Sequence, residues 1–131
     1  MTVVVAHLST PEGREALDTA ATEAVRRGTS LVVVVGEPAS PEAEAARSED
    51  LRRVEGALEG SAAVLQVETG GADIAEDLVA AAERSAAELI VIGLRRRSPV
   101  GKLILGTNAQ RILLDAPCPV LAVKPDRAPA P

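Results

Sequence analysis

The residues whose types and spacing could do chemistry are concentrated between Ile90 and Val123, in IVIGLRRRSPVGKLILGTNAQRILLDAPCPVLAV. An apolar strand ends at Gly93. A glycine-bearing, arginine-rich loop follows and closes at Gly106-Thr107, and a short helix and a second apolar strand come after it. A strand, a polar loop and a helix N-terminus in that order are how parallel α/β proteins build a pocket for an anion or a nucleotide. Gly93 lacks the side chain that would block a ligand from the backbone. Thr107 can cap the helix that follows, and Thr107 with Gln110 has capping-box spacing. The amides at that helix start and the positive end of its dipole would attract phosphate. The simpler alternative stays open: both glycines serve tight turns and Thr107 is only a cap.

Charge adds to the case for an anion. The chain carries a net −5, yet between Leu89 and Leu114 there are five basic residues (Arg95, Arg96, Arg97, Lys102, Arg111) and no acid. The remainder holds nine basic and nineteen acidic residues. A small anion is drawn to this loop more than to any other place on the chain. An extended nucleic acid is disfavoured by the overall negative charge and by the absence of Phe, Tyr and Trp, which leaves no aromatic surface for stacking bases.

Other signals are weaker. Gly101-Lys102 is followed by Leu103 and preceded at the required spacing by Arg96 rather than glycine, so there is no P-loop. His7, the single histidine, falls at the carboxyl end of the first strand, the ligand side of an open α/β sheet. It can touch a ligand or sense pH, or stand as a partly exposed strand-end residue. Cys118, between Pro117 and Pro119 at the entry to a strand, reads as a small apolar residue rather than a reactive thiol. One histidine and one cysteine cannot build a structural zinc site. No serine sits in a nucleophile elbow, and the carboxylates fall mainly on the predicted solvent faces of helices. These features predict a protein that needs no metal and is not an enzyme, with any ATP hydrolysis slow and incidental to binding.

The elements that must position the loop follow from periodicity. Short apolar runs at Val3–Ala6, Leu31–Val35, Ala63–Val67, Leu89–Ile92 and Val120–Val123 read as buried strands. Helical stripes lie between them. The first starts at Ser9-Thr10-Pro11-Glu12, either as a Ser9/Glu12 capping box or as a Thr10 cap with proline at the first helical position. Leu17, Ala21, Ala24 and Val25 give it one apolar face, and Gly28 ends it. Glu37 to Ser48 reads as a loop entering a second helix, whose stripe is Leu51, Val54 and Leu58 and whose other positions, Asp50 among them, face solvent. Ile74, Leu78, Ala81 and Ala82 line a third helix, and Asn108–Asp115 forms a fourth. The order βαβαβαβαβ predicts a three-layer α/β fold, an open five-stranded parallel sheet with helices on both faces. Residues 1–124 are expected to form one domain and 125–131 a frayed tail. With no membrane-length apolar run, no visible secretion signal and a lone cysteine, the expected compartment is the cytoplasm.

The block from Ile90 to Lys124 closely resembles the universal stress protein family, and the order of elements agrees along the whole chain. Members that bind ATP carry Gly-x2-Gly-x9-Gly-Ser/Thr after the fourth strand; here Gly93, Arg96 and Gly106-Thr107 hold those positions, with arginine in place of the second glycine. NAQRILLDAPCPVLAVKP is similar to the family's last helix, its Ala-Pro-Cys-Pro corner and its final strand. The resemblance implies a Rossmann-like fold of the adenine nucleotide alpha hydrolase kind. It implies a small regulatory binding module in stress response, with ATP or another adenine nucleotide as ligand. Phosphates would sit on Gly93, Gly106, Thr107 and Asn108, with Arg96 as their partner or gate. Ala6, His7, Leu8 and Val35 would complete the pocket at the strand ends. Leu8 stands where the ATP-binding members have an aspartate that contacts the nucleoside, and leucine cannot accept those hydrogen bonds. The alternative is a dimeric interaction scaffold of the same family that binds no nucleotide. The resemblance also implies a homodimer through the last strand, Val120, Leu121, Ala122 and Val123, which as an exposed apolar edge would invite pairing.

Overall fold

The computed structural model describes residues 1–95 and 105–124. Its elements are β1 (Thr2–Ala6), α1 (Pro11–Arg27), β2 (Ser30–Val35), α2 (Pro41–Leu58), β3 (Leu65–Thr69), α3 (Ile74–Arg84), β4 (Leu89–Gly93), α4 (Thr107–Asp115) and β5 (Val120–Val123). All four strand pairings are parallel and the sheet order is β3-β2-β1-β4-β5. The chain winds outward from β1 to β3, then returns to the other side of β1 at β4. The switch point therefore lies between β1 and β4, where open sheets of this kind leave a crevice at the strand carboxyl ends.

The three central strands are buried on both faces, so they read as unbroken aliphatic runs. Alternate residues divide the core in two. Val3, Val5, Leu31, Val33 and Val91 pack under α1 and α2 with Leu17, Ala20, Ala24 and Val54. Val4, Val32, Val34, Ile90 and Ile92 pack under α3 and α4 with Leu78, Ala81, Ala82 and Ile112. Helices thus cover both faces, as the alternating pattern requires. Alanine lines the inner sides of α1 and α3, and β-branched and aliphatic strand residues supply the volume.

Several local expectations need correction. Thr10, not Ser9, caps α1: its hydroxyl accepts from the Gly13 amide at 3.1 Å, with Pro11 at the first helical position. Val25 is exposed, and the buried face of α1 runs through Ala16, Leu17, Ala20, Ala21 and Ala24. The second helix begins at Pro41, inside the stretch read as a loop, with Ser40 capping it as Thr10 caps α1. β3 begins at Leu65, two residues later than the apolar run, and Val64 is exposed. β5 is an edge strand whose Leu121 is exposed, so Cys118 does not enter a fully buried strand. Cys118 is half-buried against the α3/α4 side of the core, where burial pushes its thiol up. The tail from Pro125 lies outside the described residues.

Candidate functional site

Three cavities meet at the carboxyl rim of the sheet, and Leu8 lines all of them. One, about 510 Å³, lies between the end of β4 and the start of α4, lined by Gly93, Leu94, Arg95, Gly106, Thr107 and Asn108, with Ser9, Thr10 and Glu12 from the start of α1. A second, about 530 Å³, is bounded by the β2–α2 connection (Gly36 to Ala39), by Ala43 and Arg47 of α2, and by Gly71, Ala72 and Ile74 before and at the start of α3. A third, about 130 Å³, lies deeper, over Ala6, Gly13, Ala16 and Val91. The two large spaces share Leu8 and Ser9 and flank the β1 end on both sides. Each falls in the size range of small-molecule sites.

The helix that opens onto the first cavity differs from the others. α1, α2 and α3 each have a side-chain cap, from Thr10, Ser40 and Asp73 respectively. α4 has none: its cap residue is Gly106, with φ −70° and ψ 168°. Thr107 is therefore the first helical residue and not the cap that the sequence predicts. Gln110, the other half of the expected capping box, instead donates from Nε2 to the Leu105 carbonyl at 2.9 Å. The leading amides of α4 are left to a ligand or solvent, next to Thr107 and Asn108, whose side chains are exposed.

Charge at this end is mixed. Of the five basic residues near the loop, Arg96, Arg97 and Lys102 lie outside the described residues. Arg95 lines the cavity, but Arg111 does not: it pairs with Asp73 at 2.9 Å in the groove between α3 and α4. Glu12, whose side chain is only 15% exposed, brings a carboxylate to the same cavity, with Arg95 Nε 3.9 Å away.

Gly93 is required for a reason other than the one its position in the sequence suggests. A Cβ added there would collide with the Glu12 carbonyl oxygen and lie 2.7 Å from the carbonyl carbon. The missing side chain lets the first turn of α1 pack against the end of β4. Gly13 has the same role from the other side, where an added Cβ would meet the Leu8 carbonyl oxygen at 2.5 Å.

The family model described as "Universal stress protein family" matches residues 1–124. The chain belongs to the universal stress protein family. A universal stress protein from Mycolicibacterium smegmatis (strain ATCC 700084 / mc(2)155) is 44% identical over 126 residues, covering 94% of this chain and 97% of that one. The solved structure of a universal stress protein from Archaeoglobus fulgidus is 33% identical, with a TM-score of 0.71, covering 95% of this chain and 98% of that chain. A universal stress protein of the same organism, solved in complex with dAMP, is 28% identical with a TM-score of 0.66, covering 95% and 98%. The α/β architecture of this chain is that of the family.

The nine expected pocket residues do not all meet in one space. Leu8, Gly93, Gly106, Thr107 and Asn108 line the cavity at α4; His7 lines the neighbouring one; Ala6 lines only the deep space. Val35 is buried among the core residues under α1 and α2, and Gly36, the next residue, reaches the cavity instead. Arg96 lies outside the described residues.

Sequence reasoning missed Asp50. It was expected on the solvent face of α2, yet it is buried and its Oδ2 lies 2.9 Å from His7 Nε2. Burial raises its carboxyl pKa, but hydrogen bonds from His7 and Arg53 outweigh that and hold it below the usual carboxylate range. Arg53 Nη1 lies 2.8 Å from Asp50 Oδ1, and Nη2 reaches Asp18 on α1 at 3.0 Å. A polar chain therefore runs from the β1 end through α2 to α1. The one available signal was spacing: Asp50, Val54 and Leu58 share the i, i+4, i+8 face of α2. Among the described residues there is no group of three or more His, Cys, Asp or Glu placed to hold a metal ion. No helix among them is long and apolar enough to cross a membrane.

Proposed function

We propose that this chain is a regulatory binding module whose cleft takes an adenine nucleotide, ATP or a shorter relative. The observation that carries the reading is the uncapped N-terminus of α4, which opens onto a cavity continuous through Leu8 and Ser9 with a second, largely apolar one. Phosphates sit on the amides of Thr107 and Asn108 beside Gly106, favoured by the helix dipole. The base lies between Pro38, Ala39 and Ile74, which offer aliphatic rather than aromatic surface. The sugar bridges the two at Leu8. The dAMP complex of the A. fulgidus relative supports an adenine ligand in this fold. Glu12 and Leu8 limit affinity, one by repulsion and one by offering no acceptor. We read the module as binding its ligand without turnover.

The chain lacks Phe, Tyr and Trp, which makes the test direct. Purified protein is nearly transparent at 260 nm, so carried-over nucleotide appears as a peak there. Calorimetric titration of nucleotide-free protein with ATP and AMP is expected to give saturable heat in the micromolar to millimolar range. Transparent protein and no heat at millimolar ligand would sink the nucleotide reading and leave a nucleotide-free interaction scaffold.

We further infer a homodimer through β5 in the cytoplasm, with residues 1–124 as its single domain. β5 is the edge strand beside β4, and Leu121 on it is exposed. α4, which precedes β5, exposes Leu113 and leaves Leu114 84% exposed. Pairing of two such edges about a two-fold axis covers this surface. Light scattering at tens of micromolar is expected to give twice 13.5 kDa, and a monomer mass would overturn the dimer.

A further inference from the structure

β3 closes the sheet on the side opposite β5 and pairs with β2 alone. Two hydrogen bonds fix which way its backbone groups point. The Leu31 amide donates to the Val64 carbonyl at 2.8 Å, and the Gly70 amide donates to the Val35 carbonyl at 2.7 Å. Backbone groups alternate sides along a strand, so Val64, Gln66, Glu68 and Gly70 turn theirs to β2. Leu65, Val67 and Thr69 turn their amides and carbonyls outward, and no hydrogen bond among the described residues reaches them. Side chains leave this edge uncovered: Val67 is 48% and Val64 56% exposed, and Gln66 and Thr69 are exposed as well. Native edges are commonly blunted by proline, lysine or a bulge. Leu65–Thr69 contains neither residue, and its pairing with β2 runs without a bulge.

We infer that the β3 edge pairs antiparallel with β3 of a second copy of this chain, about a two-fold axis at Val67. In that register the strand is its own complement. Leu65 lies opposite Thr69 of the partner subunit and Val67 opposite Val67 of the partner subunit, so the outward amides and carbonyls of all three residues find partners. Gln66 lies opposite Glu68 of the partner subunit, a donor amide against a carboxylate. Glu68 is already paired with Arg84 of α3 at 2.7 Å, so no bare charge is brought to the junction. An axis at Glu68 would set two carboxylates face to face, which is unfavourable. An axis at Gln66 would leave Thr69 with no strand residue opposite it. A strand of five residues is about 17 Å long and covers less than a stable interface needs. Each chain also carries a net −5. The contact is therefore weak, forms at high concentration and strengthens as salt screens the repulsion. It uses the edge opposite β5, so it links β5-paired dimers into rows rather than competing with them.

Amide exchange followed by NMR reads the contact residue by residue. From tens of micromolar to millimolar protein, exchange at Leu65, Val67 and Thr69 is expected to slow, while Gln66 and Glu68, already bonded to β2, do not change. Light scattering over the same range is expected to show a mass that rises with concentration, and rises further at high salt. Val67→Lys places like charges on the axis at an exposed position, and is expected to weaken the association about tenfold while leaving the circular dichroism spectrum unchanged. Leu121→Lys, on β5, is expected to leave the slowing at the three β3 amides in place. Exchange at Leu65, Val67 and Thr69 that does not depend on protein concentration overturns the proposal. So does a rise in mass that Val67→Lys leaves unchanged, or a slowing at β3 that Leu121→Lys abolishes.

Discussion

Gly93→Val is expected to lower unfolding stability by about 3 kcal/mol, at the upper end of what overpacking costs. The new Cβ would strike the Glu12 carbonyl in the first turn of α1. That neighbour is backbone, tied into a helix by the Thr10 cap and by the Arg14 amide donating to the Thr10 carbonyl at 2.9 Å. It cannot rotate away as the tip of a side chain would. Relief requires α1 to lift from β4, and α1 carries Leu17 and Ala20, which are fully buried in the core. Gly106→Ala is the matched control. Its φ of −70° and ψ of 168° are open to any residue, so its cost is expected to stay under about 1 kcal/mol, the difference between glycine and alanine at a cap. Urea titrations of the two variants followed by circular dichroism make the comparison. Equal, small losses would show that α1 does not depend on the missing side chain at Gly93.

These two glycines show what the sequence could and could not reveal. Both stand at expected turns, and both line a cavity between the β4 and α4 ends. That Gly93 answers to α1 and Gly106 to the α4 amides is decided by residues 81 positions apart along the chain, Glu12 and Gly93. The sheet was legible because its three central strands are buried on both sides, so their apolar runs are unbroken. The edge strand β3 was less so: it pairs with β2 alone, and its apolar run starts two residues before its pairing with β2. The sequence shows α2 short because its first two turns bury nothing, leaving no periodic signal over Pro41–Ser48. The Ser40-Pro41 start repeats the Thr10-Pro11 start and was as readable, but proline and serine among alanine and glutamate look equally like a loop. Thr107 shows the opposite error, a good capping residue one position too late, with Gly106 taking the cap.

Asp50 is where sequence reasoning had least to use, since its partner His7 lies 43 residues away. Asp50→Ala is expected to cost about 2–3 kcal/mol, far more than loss of a surface pair. The magnitude comes from what is left behind. His7 keeps its place under α2 with a ring N–H facing no acceptor, and an unsatisfied buried donor costs about 1–3 kcal/mol. Arg53 adds little, because it is half exposed and retains Asp18. Asp50→Asn is expected to cost less, since the amide oxygen can still accept from His7.

The carboxylate also sets a pH dependence with a definite sign. Its pKa in the folded chain lies below the usual value, so over the interval between the two the unfolded chain binds the proton and the folded chain does not. The stabilisation is therefore fully present above the ordinary carboxylate pKa. It is lost as pH falls through the folded value. Urea titrations of wild type and Asp50→Asn are expected to differ, and the difference should shrink as pH falls below about pH 4. A difference that stays constant into acid, or grows there, would mean that the carboxylate is not ionised against His7 and Arg53 in the folded chain.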